Sequence, residues 1–233
     1  MERQLDRRSA AFVERAIAGK GVRVLLDART SAVVGTDRAE GLALASGAFL
    51  PVDLVVVAVG VRPNIGLAQA AGIPVRRGIL VDDALTTAVP FVHAIGECAE
   101  HRGAVYGLVA PAYDQAQILA RRWAGDETAR YEGTVLSTNL KVSGIPVFSA
   151  GDFLGGEGTD DIVLEDRGAA LRKKLVMRGD RLVGAVLVGE ADDALWYRDL
   201  IREGRDVAAI RDGLIFGRAF CGDAAPTALK EAA

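Results

Sequence analysis

Leu54-Val55-Val56-Val57-Ala58-Val59-Gly60 and, further on, Phe91-Val92-His93-Ala94-Ile95-Gly96-Glu97 decide how this chain is read. Each is a short apolar run that stops on glycine. A parallel strand covered on both faces has this form. A glycine at its end lets the backbone lie against a ligand. The pattern predicts one buried strand over 54–59, turning through Arg62-Pro63-Asn64, and a second over 91–95.

Upstream, Asp6 is placed to cap a helix over 7–18, with Phe12, Val13, Ala16 and Ile17 on one face. A strand is expected over 22–26. Three short apolar pieces, 32–34, 42–44 and 49–50, read as an antiparallel meander. Downstream, Asn64 can cap a short helix over 65–71, residues 79–81 form a strand, and residues 99–103 form a loop. A helix opens near Pro111 and runs to Trp123, burying Ala112, Ala116, Leu119, Ala120 and Trp123. Composition shifts at 125–133. Beyond it, strands are expected over 135–142, 146–150, 162–164, 170–178 and 181–188, with a hairpin turn at Gly179-Asp180. Helices follow over 194–203 and 207–212. The expected boundaries are 1–66, 67–128, 129–223 and a frayed tail, 224–233.

Charge narrows the field. A net charge of −3 argues against a nucleic-acid or anionic-membrane partner. No run of ~18 apolar residues predicts a membrane span, and the polar opening Met1-Glu2-Arg3-Gln4-Leu5-Asp6 does not resemble a secretory signal. Cys98 and Cys221 form no CxxC, and only His93 and His101 are available as imidazoles, so neither a disulfide framework nor a metal site is expected. A cytoplasmic protein fits these features.

The glycine-ended runs, together with Thr86-Thr87-Ala88-Val89-Pro90 ahead of the second, resemble the late signatures of the two-dinucleotide-binding flavoprotein reductases. The segments 96–103, Tyr106-Gly107-Leu108-Val109-Ala110-Pro111 and 140–151 are similar to the large subunits of assimilatory NAD(P)H-nitrite reductases. The resemblance implies an α/β chain: a partial two-dinucleotide-binding reductase fold, the C-terminal half of a nicotinamide domain and then part of a flavin domain, followed by a small α+β interface domain. It implies FAD against Gly96 and Glu97, with the helix opening at Val109 and Ala110 aimed at the flavin. It also implies NAD(P)H near Gly60 and an approach of Lys141 to the flavin. Most of the superfamily carries Asp where Glu97 stands; the nitrite reductase branch carries Glu.

Hydride would pass from NAD(P)H to FAD, and electrons onward to iron–sulfur and siroheme centres that reduce nitrite. No cysteine set for those centres, and no GxGxxG loop after a strand, occurs in the chain, so it reads as an internal piece of a longer reductase, possessing no catalytic side chain of its own and incomplete by itself. Expected partners are NAD(P)H, FAD and the rest of the reductase or a small electron carrier, with homodimerisation through the last domain. A rubredoxin- or ferredoxin-reductase-type fragment, or a non-catalytic interaction module, are the alternatives. Arg172-Lys173-Lys174 is expected on a solvated strand face, Cys98 in a structural role, and Glu100 and His101 on a solvated loop.

Overall fold

The computed structural model describes residues 4–222; the expected tail, 224–233, lies outside the described residues. The described residues form two compact units, one of residues 27–134 and one of residues 4–26 with 135–222. These units differ from the expected boundaries, because the first helix, α1 (Arg7–Ala18), belongs with the C-terminal sheet rather than with the residues that follow it.

In the unit of residues 27–134, β1 (Thr30–Val34), β2 (Gly41–Leu44) and β3 (Phe49–Pro51) make the expected antiparallel meander. The run 54–59 does not form a strand. It has no ladder partner among the described residues; Val56, Val57 and Val59 are exposed, Val59 to 89%, and Val55 is half-buried. A parallel-type apolar run becomes a strand only when neighbours satisfy its N–H and C=O groups and cover its faces. Residues 22–26 and 91–95 also lack the expected strands; Thr86 and His93 share a single bridge.

After the short helix α2 (Gly66–Ala70), β4 (Ile79–Val81) pairs in parallel with β5 (Ala99–His101), and β5 pairs antiparallel with β6 (Ala104–Val105). The expected loop at 99–103 is therefore partly a strand. Helix α3 (Val109–Trp123) starts two residues earlier than expected. Its buried residues are Pro111, Gln115 and Leu119, whereas Trp123 is exposed. Leu119 packs with Leu85, Tyr106 and Tyr131 as the core of this unit.

The other unit is built on a five-stranded antiparallel sheet. Its strands are β7 (Ser137–Val142), β8 (Ile145–Gly151), β9 (Asp160–Asp166), β10 (Leu171–Arg178) and β11 (Arg181–Val188), in the spatial order β7-β8-β11-β10-β9. Side chains alternate faces along a strand. On one face Phe148, Ala150, Leu175, Met177, Ala185 and Leu187 meet helix α4 (Ala194–Glu203) through Trp196, Tyr197 and Leu200. On the other, Ile145, Val147, Val186 and Val188 meet Leu5, Phe12 and Val13 of the α1 region. Both faces are covered, so β11 reads as a continuous apolar run. The short helix α5 (Arg211–Leu214) is tied in by the Tyr197 hydroxyl, which donates to the Leu214 carbonyl at 2.6 Å.

Arg172, Lys173 and Lys174 are buried rather than solvated, because β10 lies inside this sheet. Each has a partner. Arg172 binds Glu165 and, at 3.0 Å, the Ser9 hydroxyl; Lys173 binds Glu190 at 2.6 Å; Lys174 binds Asp161 at 3.0 Å and the Leu154 carbonyl at 3.1 Å. Asp6 caps α1 as expected, accepting from the Arg8 and Ser9 N–H groups at 3.0 and 3.1 Å. Among the described residues no helix is long and apolar enough to cross a membrane.

Phe12 is the largest apolar side chain that α1 buries against this sheet. Phe12→Ala is expected to lower the unfolding free energy by about 3–5 kcal/mol, read as a lower urea midpoint. A loss below about 1 kcal/mol would show that α1 does not pack on this sheet.

Candidate functional site

The second glycine-ended run delivers a tip. Gly96 sits at φ +81°, where a side chain is strained, and opens a single 3-10 turn, Gly96–Cys98. Its N–H donates to Gln115 Oε1 on α3 at 2.7 Å. A Cβ at Gly96 would lie 3.9 Å from the Ala112 Cβ, so the tip rests on the early turns of α3. Glu97 is exposed and has no hydrogen bond or ion pair among the described residues.

The start of α3 is open. Leu108 supplies no side-chain cap, and Val109 and Ala110 are exposed, leaving their N–H groups free. Gly60 holds φ +91°, and a Cβ there would meet nothing within 4 Å. Beside it, the Val61 side chain lies 3.0 Å from where a Gly107 Cβ would be, so that run passes the loop leading into α3. Gly96, Val109 and Ala110 thus share one helix start, Glu97 follows Gly96 in the tip, and Gly60 is linked to this region only through its neighbour Val61. Lys141 lies in the other unit, exposed on β7.

Charges behind the tip hold β5 in place. Glu100 is buried, which pushes its carboxyl upward. Hydrogen bonds from the Gly78 and Arg77 N–H groups, at 3.0 and 2.8 Å, and from Arg76 at 2.5 Å override this and leave it below the usual carboxylate range. The next residue, His101, is also buried, with Nε2 2.8 Å from Asp83. Arg102 and then His101 hold Asp83 down to about 2. Burial pushes the Tyr131 phenol up to about 12. Glu100 and His101 are therefore framework groups of a strand. Cys98 is half-buried, its thiol 3.4 Å from the Ile95 carbonyl.

Gln115 is the residue that sequence reasoning missed. Its signal was present: Pro111, Gln115 and Leu119 lie four residues apart on one helix stripe, and a glutamine on a buried stripe has to be satisfying something.

A family model described as pyridine nucleotide-disulphide oxidoreductase matches residues 1–117, and the chain belongs to that family. A second model, described as the rubredoxin NAD+ reductase C-terminal domain, matches residues 137–205. Among individual proteins, the chain is 47% identical over 208 residues to the nitrite reductase [NAD(P)H] of Bacillus subtilis, covering 89% of this chain and 26% of that protein. It is 38% identical to the nitrite reductase (NADH) large subunit of Escherichia coli, covering 83% and 24%. The chain therefore spans about a quarter of the length of these relatives. In structure it is similar to a ferredoxin reductase from Rhodopseudomonas palustris, with a TM-score of 0.76 at 28% identity over 89% of this chain and 52% of that one.

A carboxyl held below its ordinary value stabilises the fold above that ordinary value and loses its contribution as pH falls through the lowered one. Acidification through the usual carboxylate range should therefore weaken the chain, with Asp83 releasing its share between about 4 and 2. Glu100→Gln should be less stable at pH 7 and show a shallower loss below pH 4.5. Urea midpoints across pH check this; an unchanged acid limb would refute it.

Proposed function

We propose that this chain is the central part of a FAD-dependent NAD(P)H oxidoreductase of the nitrite reductase type, serving nitrate assimilation in the cytoplasm. The observation that carries the reading is the cluster at the start of α3: a positive-φ glycine, an unpartnered carboxylate and an uncapped helix. The residues fit half of a flavin site. Gly96 permits backbone approach, and the Glu97 carboxylate accepts from a sugar hydroxyl. The free N–H groups of Val109 and Ala110 favour negative charge at the flavin pyrimidine edge, by about 0.3–1 kcal/mol and up to about 2 when partly buried.

Gly60 leaves room for the nicotinamide cofactor. FAD, when bound, supplies the exchange between hydride and single electrons, while the protein orients and tunes it. The exposed apolar run 54–59 fits a strand whose neighbours belong to the rest of the longer protein. Iron–sulfur and siroheme centres would lie in that remainder, and a small electron carrier is the other acceptor compatible with the relatives. Identity of 47% to a nitrite reductase against 32% to the rubredoxin-NAD(+) reductase of Alcanivorax borkumensis favours nitrite.

The test is to express the natural reading frame that contains this chain and record its visible spectrum and its NAD(P)H-dependent nitrite consumption. Bound flavin is expected, with Gly96→Val abolishing it and Glu97→Gln weakening it several-fold. A colourless, stably folded product would overturn the reading. The 233-residue chain alone should bind added FAD weakly, and a tight stoichiometric complex would disprove the half-site.

A further inference from the structure

We infer that Gln115 is the positioning residue of the flavin-facing tip: its buried carboxamide sets the Gly96 peptide and, through it, the direction of Glu97. The inference deepens the flavin reading and rests on it for its functional half. A glycine at φ +81° has more conformations open to it than any other residue, so a tip that depends on one needs a lock from outside. Gln115 supplies that lock. The side chain is fully buried one turn beyond Pro111, and Oε1 accepts the Gly96 N–H at 2.7 Å.

The carboxamide's orientation follows from chemistry. Gly96 offers a donor, so the oxygen must face it. The amide nitrogen, Nε2, faces the Tyr131 hydroxyl but does not reach full hydrogen-bond geometry with it. A half-satisfied buried amide costs stability that a leucine or methionine of similar volume would not. The position therefore serves the tip better than it serves the core. The surroundings hold the amide in place: Tyr131 is packed beside it, with its hydroxyl 2.9 Å from Thr134 Oγ1, and the Thr134 hydroxyl donates to Asp114 at 2.7 Å.

The test uses three variants. Gln115→Met removes the acceptor at similar volume. Gln115→Glu keeps an acceptor oxygen. Leu119→Ala weakens the same helix by core loss alone. Amide hydrogen exchange at Gly96 in the 233-residue chain should accelerate at least tenfold in Gln115→Met relative to its global unfolding, and return towards wild type in Gln115→Glu. In Leu119→Ala it should change only as much as global stability does. In the full reductase, Gln115→Met should raise the FAD dissociation constant about tenfold, and Gln115→Glu should largely restore it.

Unchanged Gly96 exchange in Gln115→Met overturns the inference outright. Faster exchange with unchanged FAD affinity, where Glu97→Gln does weaken FAD, overturns its functional half and leaves the flavin reading standing. If neither Gln115→Met nor Glu97→Gln affects FAD while the tip loosens, the flavin reading is what fails.

Discussion

The Glu100 carboxylate is the constraint on which the unit of residues 27–134 depends. A buried carboxylate without donors costs several kcal/mol and is removed by protonation or by refolding around it. Glu100 instead takes the Arg77 and Gly78 N–H groups and the Arg76 guanidinium. These three donors come from the loop just before β4, so satisfying the charge forces β4 and β5 into parallel register. The tip Gly96–Cys98 directly precedes β5. Fixing the strand therefore fixes where the tip emerges, and α3 closes the arrangement from the other side through Gln115. His101 and Asp83 repeat the device one residue on, and Tyr131 N–H donates to the Asp83 carbonyl at 2.8 Å.

The other unit obeys a different constraint. A sheet with helices on both faces has no wet side for its inner strands, so any charge on those strands must be neutralised within the protein. β10 carries three consecutive bases, and alternation sends Arg172 and Lys174 to the α1 face and Lys173 to the α4 face. Each meets a carboxylate there. Arg172 also meets Ser9, whose hydroxyl donates to the capping Asp6 at 2.5 Å, so the N-terminus of α1 is held by the same network that neutralises the strand. Breaking one member would strand a buried charge, which is why this network specifies how α1 sits.

What could be read in the sequence was local. The α1 cap, the meander and the hairpin at Gly179-Asp180 follow from short-range rules, and the structure contains each of them. What could not be read depended on partners distant in the chain. Residues 54–59 have the composition of a strand, but composition cannot show whether neighbouring strands are present. Arg172-Lys173-Lys174 looks solvated until Glu165, Asp161 and Glu190 are seen opposite it. Glu100-His101 looks like a loop because its counter-groups, residues 76–78 and 83, lie some twenty positions upstream. The family resemblance supplied the functional reading of Gly96 and Glu97; periodicity by itself marked them only as a strand end.

Gln115 shows how a local inconsistency can carry functional information. On a stripe otherwise filled by Pro111 and Leu119, an apolar residue would pack without a polar group to satisfy. Sequences that specify a fold are consistent across levels, and departures from that consistency concentrate where a site imposes its own demand. Here the demand is visible in the geometry: a glycine free to rotate must present one peptide orientation beside an open helix start. The lock is a neutral acceptor. A glutamic acid in its place would serve only in its protonated form, which burial favours and which keeps a neutral acceptor oxygen. A carboxamide gives the hydrogen bond without the charge, which suits a tip that already carries one carboxylate in Glu97.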